Sequence, residues 1–344
     1  MIHTAPRVFV VLLNYNGWRN TIECLESVLR SDYPELRVIV VDNCSTDESR
    51  HEIREWCLGR TAAPLPGGAL SPLCTPPIPK PVPLAEWPRA HLDDGPVEWI
   101  RGVNVVLAEK NLGFSAGNNV MLRYVQRHEP EAMTLLLNND TVIAPTAIAA
   151  MVERATVDED GLTAVGATIL QYHRPDRVET LGGGSVSTWH GCSEMIGWDT
   201  TRDAPRPDVT MHYVSGCCVL IPPAALSRVG LLDERFFIYN EDADWGIRAR
   251  AAGIRLSYAS SAEVWHKGSA TMVVKTAFYD YHSVKSLLHF ARKHRPRLFP
   301  LALVYLCTRL GLAKLARGEW TRLRTVVSAF GDFRGERAAF PVQP

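Results

Sequence analysis

No two of the eight cysteines stand at CxxC spacing, which argues against a zinc cluster. No stretch reaches the roughly 18–20 uninterrupted apolar residues of a membrane span. The nearest run, Leu298 to Cys307, stops at Thr308 and Arg309. No internal repeat is visible. Neither sign of charge is in excess, with 37 Lys and Arg against 37 Asp and Glu. That balance argues against a surface built wholly to grip nucleic acid. The apolar run near Met1 lacks a basic flank and a small-residue cleavage site, so no signal peptide is predicted. Cys217 and Cys218 lie in the apolar run VSGCCVLI and read as small buried hydrophobes, which suits a reducing compartment.

What is there fits a soluble globular protein. Of the 344 residues, 46% are hydrophobic and 22% charged, which excludes a disordered chain. The length allows one large domain or about two ordinary ones. Val8 to Leu13 is a continuous apolar run, the pattern of a strand buried on both faces of a parallel sheet. Helical spacing follows over Asn20 to Arg30, a second strand over Arg37 to Val41 and a second helix over Asp47 to Cys57. The alternation predicts an α/β sheet with right-handed crossovers. Further strands are predicted over Val103 to Ala108, Met133 to Leu137, Thr163 to Leu170, Tyr213 to Ile221 and Arg255 to Tyr258. The segment NLGFSAGNN reads as a turn before a helix over Val120 to Arg127. Residues 59–98 are dense in proline, which predicts an irregular surface insertion.

In an open parallel sheet, ligands bind beyond the carboxyl ends of the strands. Those ends read Asn14-Tyr15-Asn16, Asp42-Asn43-Cys44-Ser45, Asn111-Leu112-Gly113-Phe114 and Asn138-Asn139-Asp140. Such side chains suit a base, a ribose or a phosphate; capping of the next helix is the plainer alternative for any one of them. Asp140, after three leucines, either holds a divalent cation or caps the following turn. His266 becomes a metal candidate only if the fold brings it to Asp140. Glu241, Asp242 and Asp244 fall within four residues at a predicted helix start. The helix dipole accounts for one or two of them, and Asp244 is expected to pair with Arg248. That leaves Glu241 or Asp242 as a general base.

The set FVVLLNYNG (9–17), VIVVDNCSTD (38–47), NLGFSAGNN (111–119), LLLNND (135–140), VSGCCVLI (214–221), LLDERFFIYNEDADWGIRARAAG (231–253) and WHKGSA (265–270) resembles the family 2 glycosyltransferases. These are inverting enzymes of the GT-A fold, and the likeness is nearest to rhamnosyltransferase-like members. The resemblance implies a Rossmann-like, mostly parallel sheet over residues 1–270 with a helical region over 271–344. It implies Asn14, Asn16, Asp42 and Ser45 as nucleotide contacts, and Asn111, Gly113 and Asn118 as donor-pocket residues. Asn138-Asn139-Asp140 stands where the family has DxD, so Asp140 and His266 would hold Mg²⁺ or Mn²⁺. Asp242 would be the base, with Glu241 beside it, and Tyr239 and Trp245 on the acceptor side. The implied reaction moves a sugar from a dTDP- or UDP-sugar, dTDP-rhamnose among them, to a saccharide or lipid-linked acceptor in surface polysaccharide synthesis. The alternatives are a sugar nucleotidyltransferase and a catalytically degenerate carbohydrate-binding protein.

The chain after about residue 271 is basic and helical in pattern. It reads either as an amphipathic membrane-interface element or as an appendage packed on the catalytic domain with solvated arginines. A cytoplasmic protein, peripheral on the inner face of the plasma membrane, is the expectation that follows.

Overall fold

The computed structural model describes residues 5–158, 160–268 and 277–335. The boundary expected at 270/271 and the end of the WHKGSA motif lie outside the described residues. In chain order the strands are β1 (Val8–Asn14), β2 (Leu36–Asp42), β3 (Leu84–Pro88), β4 (Val103–Leu107), β5 (Met133–Asn138), β6 (Thr141–Ile143), β7 (Thr163–Gln171), β8 (Arg174–Leu181), β9 (Gly183–Val186), β10 (Ser193–Met195), β11 (Tyr213–Val214), β12 (Cys218–Ile221) and β13 (Arg255–His266). The helices are α1 (Trp18–Val28), α2 (Ser49–Cys57), α3 (His91–Asp94), α4 (Gly113–His128), α5 (Ala147–Thr156), α6 (Pro223–Val229), α7 (Glu241–Ala251), α8 (Ala277–His294), α9 (Phe299–Ala316) and α10 (Trp320–Gly335).

The main sheet runs β3-β4-β2-β1-β5-β12-β7-β13-β6, with β8 hydrogen-bonded to β7. Strands β3, β4, β2, β1 and β5 are mutually parallel. The unbroken apolar run in β1 has a simple cause, since both faces of the strand are covered. Val8, Val10 and Leu12 pack with Ile22 and Leu25 of α1 and Met151 of α5. Phe9 and Val11 pack with Met121 and Tyr124 of α4. Each such fully buried side chain contributes about 1.5–3 kcal/mol. Register brings the polar strand ends together: Asn14 lies opposite Asp42, and Leu13 opposite Asn138.

Four expectations are corrected. The proline-rich stretch is not irregular throughout. It contains β3 and α3, and Leu70, Val82, Leu92 and Val97 are buried in the two main cores. Proline is tolerated because β3 is an edge strand with one side free of ladder bonds. The segment NLGFSAGNN is helical from Gly113 onward, because Asn111 Oδ1 accepts the Gly113 N–H at 2.9 Å and starts the turn. Tyr213 to Ile221 is two strands, not one: β11 joins the small sheet and β12 the large one, with Ser215 to Cys217 crossing between. The late strand continues to His266, because β7 and β6 flank it to that end.

Helices α8, α9 and α10 share their own apolar core, with Leu288, Phe299, Leu306, Val326 and Phe333 buried. Phe290 also reaches the segment leading into α7 and α7 itself, packing with Phe236 and Ala243. The helical segment Pro296–Ala316 is long and apolar enough to cross a bilayer by length and composition. That exceeds the run counted from sequence, because single polar residues do not interrupt a helix. Its packed face, through Phe299, Ala302 and Leu306, is occupied by α8 and α10.

Candidate active site

The end of β1 is tied to the loop after β2. Asn14 Nδ2 donates to Asp42 Oδ1 at 2.9 Å and to Ser45 Oγ at 3.1 Å, and Asn14 Oδ1 accepts from Thr21 Oγ1 at 2.9 Å. Ser45 donates its N–H and Oγ–H to Asp42, at 3.1 and 2.5 Å. Asn16, at φ 53°, accepts the Thr46 N–H at 2.7 Å. Asn14 has no exposed surface, so it frames Asp42 rather than meeting a ligand, which corrects its sequence reading. Asn118 is similarly buried and donates to Phe114 O within α4. Asn111 is engaged by Asn43, which also accepts the Leu112 N–H, so one amide sets the loop before α4. Gly113 sits at φ 75°, where a Cβ would lie 2.5 Å from Phe237 O. Its requirement is close approach to the segment leading into α7.

Asp140 and His266 do meet. His266 Nε2 is 3.3 Å from Asp140 Oδ1, and both residues are buried. Glu179 of β8 accepts from His266 Nδ1 at 2.9 and 3.1 Å. That assigns the ring proton to Nδ1 and leaves the Nε2 lone pair facing a carboxylate. Two electron-rich atoms at this distance call for a proton or a cation between them. Burial alone would lower the His266 pKa, but facing Cys217 and Asp140 reverse this and raise it well above the usual value. Burial likewise opposes ionisation of Asp140, while His266 brings its pKa down. The pocket therefore favours positive charge. A ligating histidine backed by a carboxylate is the usual second-shell arrangement at a metal. Among the described residues no three His, Cys, Asp or Glu form a complete ligand set. The chain thus offers a carboxylate and an imidazole, and the chemistry of that donor set fits Mg²⁺ or Mn²⁺ with outside oxygens. Asn138 lies 3.4 Å from His266 Nε2, whereas Asn139 donates to Thr21 Oγ1 at 2.9 Å and so ties the loop to α1.

Glu241 and Asp242 open α7, preceded by Tyr239 and Asn240 at φ 72° and 66°. Two successive non-glycine residues in the left-handed region cost on the order of 1 kcal/mol each or more, and such strain gathers at functional sites. Asn240 Nδ2 donates to Gly191 O at 2.7 Å and holds the bend. Asp242 Oδ2 accepts the Gly216 N–H at 3.0 Å, and Oδ1 accepts the Ala243 N–H at 2.7 Å. Glu241 Oε2 is buried without a hydrogen-bond partner among the described residues. Burial, then the charge of Asp242, pushes the Glu241 pKa well above its ordinary value. Burial also raises Asp242, against the bonds from Gly216 and Ala243. The pair is held unequally, since Asp242 accepts two backbone amides and Glu241 Oε2 none among the described residues.

Both carboxylates line a cavity of about 490 Å³ with Tyr213, Tyr239 and Asn240. Its other wall belongs to the C-terminal helices, including Lys314 and Arg322. Trp245 is not part of it. Its ring is buried in the core beside α6 and its Nε1–H donates to Gly230 O at 2.9 Å, so the acceptor role read from sequence is corrected. α7 is buried on most sides, and its Trp245 packs in the core with Ala249. Asp244 does pair with Arg248, at 2.9 Å, and also receives Lys293 at 2.6 Å and His294 at 2.9 Å from α8. Sequence reasoning missed Glu179, Gly216 and those α8 cations. Only Glu179 left a local signal, an acid inside the apolar strand VETL.

The chain thus gathers polar strand ends, a carboxylate–histidine pair and an acidic pair along the carboxyl edge of a mostly parallel sheet and the cleft beside it. The chain matches the sequence family described as "Glycosyltransferase like family 2" over residues 98–279, just over half its length, and "Glycosyl transferase family 2" over 9–61. It belongs to glycosyltransferase family 2. Over 83 residues, 24% of this chain, it is 36% identical to an N-acetylglucosaminyl-diphospho-decaprenol L-rhamnosyltransferase of Mycobacterium tuberculosis. The match covers 27% of that protein, so the chain spans about a quarter of the length of the curated relatives it matches. The fold resembles GalNAc-T7 with UDP, GalNAc and Mn²⁺, at TM-score 0.51 and 15% identity, covering 89% of this chain and 58% of that one. A mannosyltransferase of Pyrobaculum calidifontis in complex with GDP-Man and Mn²⁺ gives TM-score 0.49 and 16% identity, covering 99% and 77%.

Proposed function

We propose that the protein transfers a sugar, with inversion, from a dTDP- or UDP-sugar to a hydroxyl of a saccharide carried on a lipid diphosphate. dTDP-rhamnose is the donor favoured by the local likeness to the mycobacterial rhamnosyltransferase. The setting is bacterial surface polysaccharide synthesis. The carrying observation is the acidic pair at the cavity: Asp242, held by the Gly216 and Ala243 amides, lines it beside the buried Glu241. An acceptor hydroxyl has a pKa far above 7 and needs such a base as it attacks. One in-line displacement on the anomeric carbon inverts it and needs no second nucleophile.

Asp140 and His266 would hold the cation, with Asp42, Ser45 and Asn16 at the nucleoside. The bound cation would offset charge on the departing diphosphate. Glu179 acts through His266 as a positioning residue. Glu179→Gln is expected to weaken Mn²⁺ binding about 10–100-fold, read by electron paramagnetic resonance titration in the presence of dTDP. An unchanged Mn²⁺ affinity would show that Glu179 only fills space.

The experiment that tests the whole reading is a nucleotide-sugar panel followed by thermal shift and then by turnover. Stabilisation by a dTDP- or UDP-sugar and transfer to a prenyl-diphosphate saccharide are expected. Failure of every dTDP- and UDP-sugar to bind would end it.

The proposed location is the cytoplasmic side of the plasma membrane, held peripherally. The support is the exposed apolar set Leu301, Val304, Leu312, Leu315 and Trp320 on α9 and α10, with Arg295 and Arg297 nearby in sequence. The full chain is expected to float with phosphatidylglycerol vesicles and to lose most of that binding as L301S/V304S/L312S. Equal flotation of both proteins would remove this surface from the role.

A further inference from the structure

The wall of the cavity facing Asp242 is more basic than the fold requires. It carries Arg309, Lys314 and Arg317 of α9 and its end, and Arg322 of α10. Two of these are already neutralised. Lys314 Nζ lies 3.1 Å from Asp280 and 3.3 Å from Glu319, and Arg322 binds the same two carboxylates at 2.5 and 2.8 Å. Two cations and two acids close that network. Arg309 instead donates to Cys192 Sγ at 2.7 Å and approaches Tyr305 Oη at 3.4 Å. Among the described residues neither Arg309 nor Arg317 pairs with a carboxylate. Both are exposed, and both line the cavity.

The same helix has a second character. At about 100° per residue, the cavity-lining positions 309, 310, 314 and 317 cluster on one side of α9. Exposed Leu301, Val304, Leu312 and Leu315 cluster on roughly the opposite side. The helix therefore separates a charged cavity from an apolar surface. Guanidinium groups that no carboxylate neutralises suit phosphate oxygens, which they bind through forked donors.

We infer that Arg309 and Arg317 form a diphosphate subsite for the acceptor, placing its sugar hydroxyl toward Asp242 while its apolar tail stays with the membrane. This rests on the proposed acceptor class and names the residues that recognise it. The donor's diphosphate has its own place at Asp140 and His266, at the strand ends.

The test compares two soluble probes by calorimetry: octyl-diphospho-N-acetylglucosamine, and octyl N-acetylglucosaminide, which lacks the diphosphate. The wild-type chain is expected to prefer the first by about 100-fold, as two charge-assisted contacts would give. R309A/R317A should reduce that preference to about threefold or less, with affinity for the neutral glycoside unchanged. Retained preference in the double variant overturns the subsite. So does a parallel loss of dTDP affinity, which would assign the arginines to the donor. Loss confined to phosphatidylglycerol vesicle binding would assign them to lipid headgroups and overturn it too. If wild-type protein binds nucleotide sugars but shows no diphosphate preference, the subsite alone fails. If it binds neither nucleotide sugars nor either probe, the underlying acceptor reading fails with it.

Discussion

Asp242→Asn will reduce sugar transfer by about 10²–10⁴-fold while leaving nucleotide binding unchanged. The amide keeps the size of the carboxylate and can still accept the Gly216 N–H that holds Asp242 at 3.0 Å. It cannot take a proton from a hydroxyl. Steady-state transfer and nucleotide titration on the same preparation separate the two effects. Turnover within threefold of wild type would remove Asp242 from the role of base. The pH profile adds a second reading. Burial raises the Asp242 pKa, so kcat/KM should fall as pH drops through a value above the usual aspartate range. The asparagine variant should lack that acidic limb, because no proton is taken up at the position.

Asp244→Ala is expected to be the most damaging substitution for stability. Asp244 is fully buried and faces Arg248, Lys293 and His294. Removing it leaves Arg248 without a carboxylate and Lys293 with Asp233 alone, a broken buried pair that costs on the order of 3 kcal/mol. The melting temperature should fall by roughly 5–15 °C. Although burial opposes ionisation, His294, Lys293 and Arg248 hold the Asp244 pKa below its ordinary value. Its contribution is therefore present above the unfolded pKa, near 3.9, and is lost as pH falls through the lower folded value. Wild-type and Asp244→Ala melting curves should converge in strong acid. A variant as stable as wild type at neutral pH would show that the α7–α8 joint does not depend on this residue.

The sheet was legible because burial on both faces writes itself as unbroken apolar runs, as in Val8 to Leu13. The polar strand ends were legible because each follows such a run directly. Asp140 with His266 was only conditionally legible, since 126 residues separate them and register alone brings them to 3.3 Å. Glu179 lay beyond reach for the same reason: its partner is chosen by the β7–β8 pairing. Trp245 was misread because a motif position does not reveal which side of a helix faces the core. The β3 edge strand was hidden by prolines, whose effect depends on whether a neighbour needs the missing N–H. The cavity's second wall was invisible because basic residues on α9 and α10 look like solvated ones until the helices are folded back.

Ser215 to Cys217, the crossing between the small sheet and the large one, touches both halves of the site. Gly216 gives its N–H to Asp242, and Cys217 O accepts the Asn138 N–H at 2.8 Å beside His266. Two groups only two peptide units apart thus tie the Asp242 end of the site to the Asp140–His266 end. The short chain between them limits how far the two ends can shift against each other. A side chain at position 216 would meet Asp242 Cβ at 3.4 Å and Phe114 at 3.6 Å, ordinary contact distances. A small side chain is therefore accommodated at residue 216 without displacing Asp242, which makes it a place where related chains could differ beside the cavity without differing in fold.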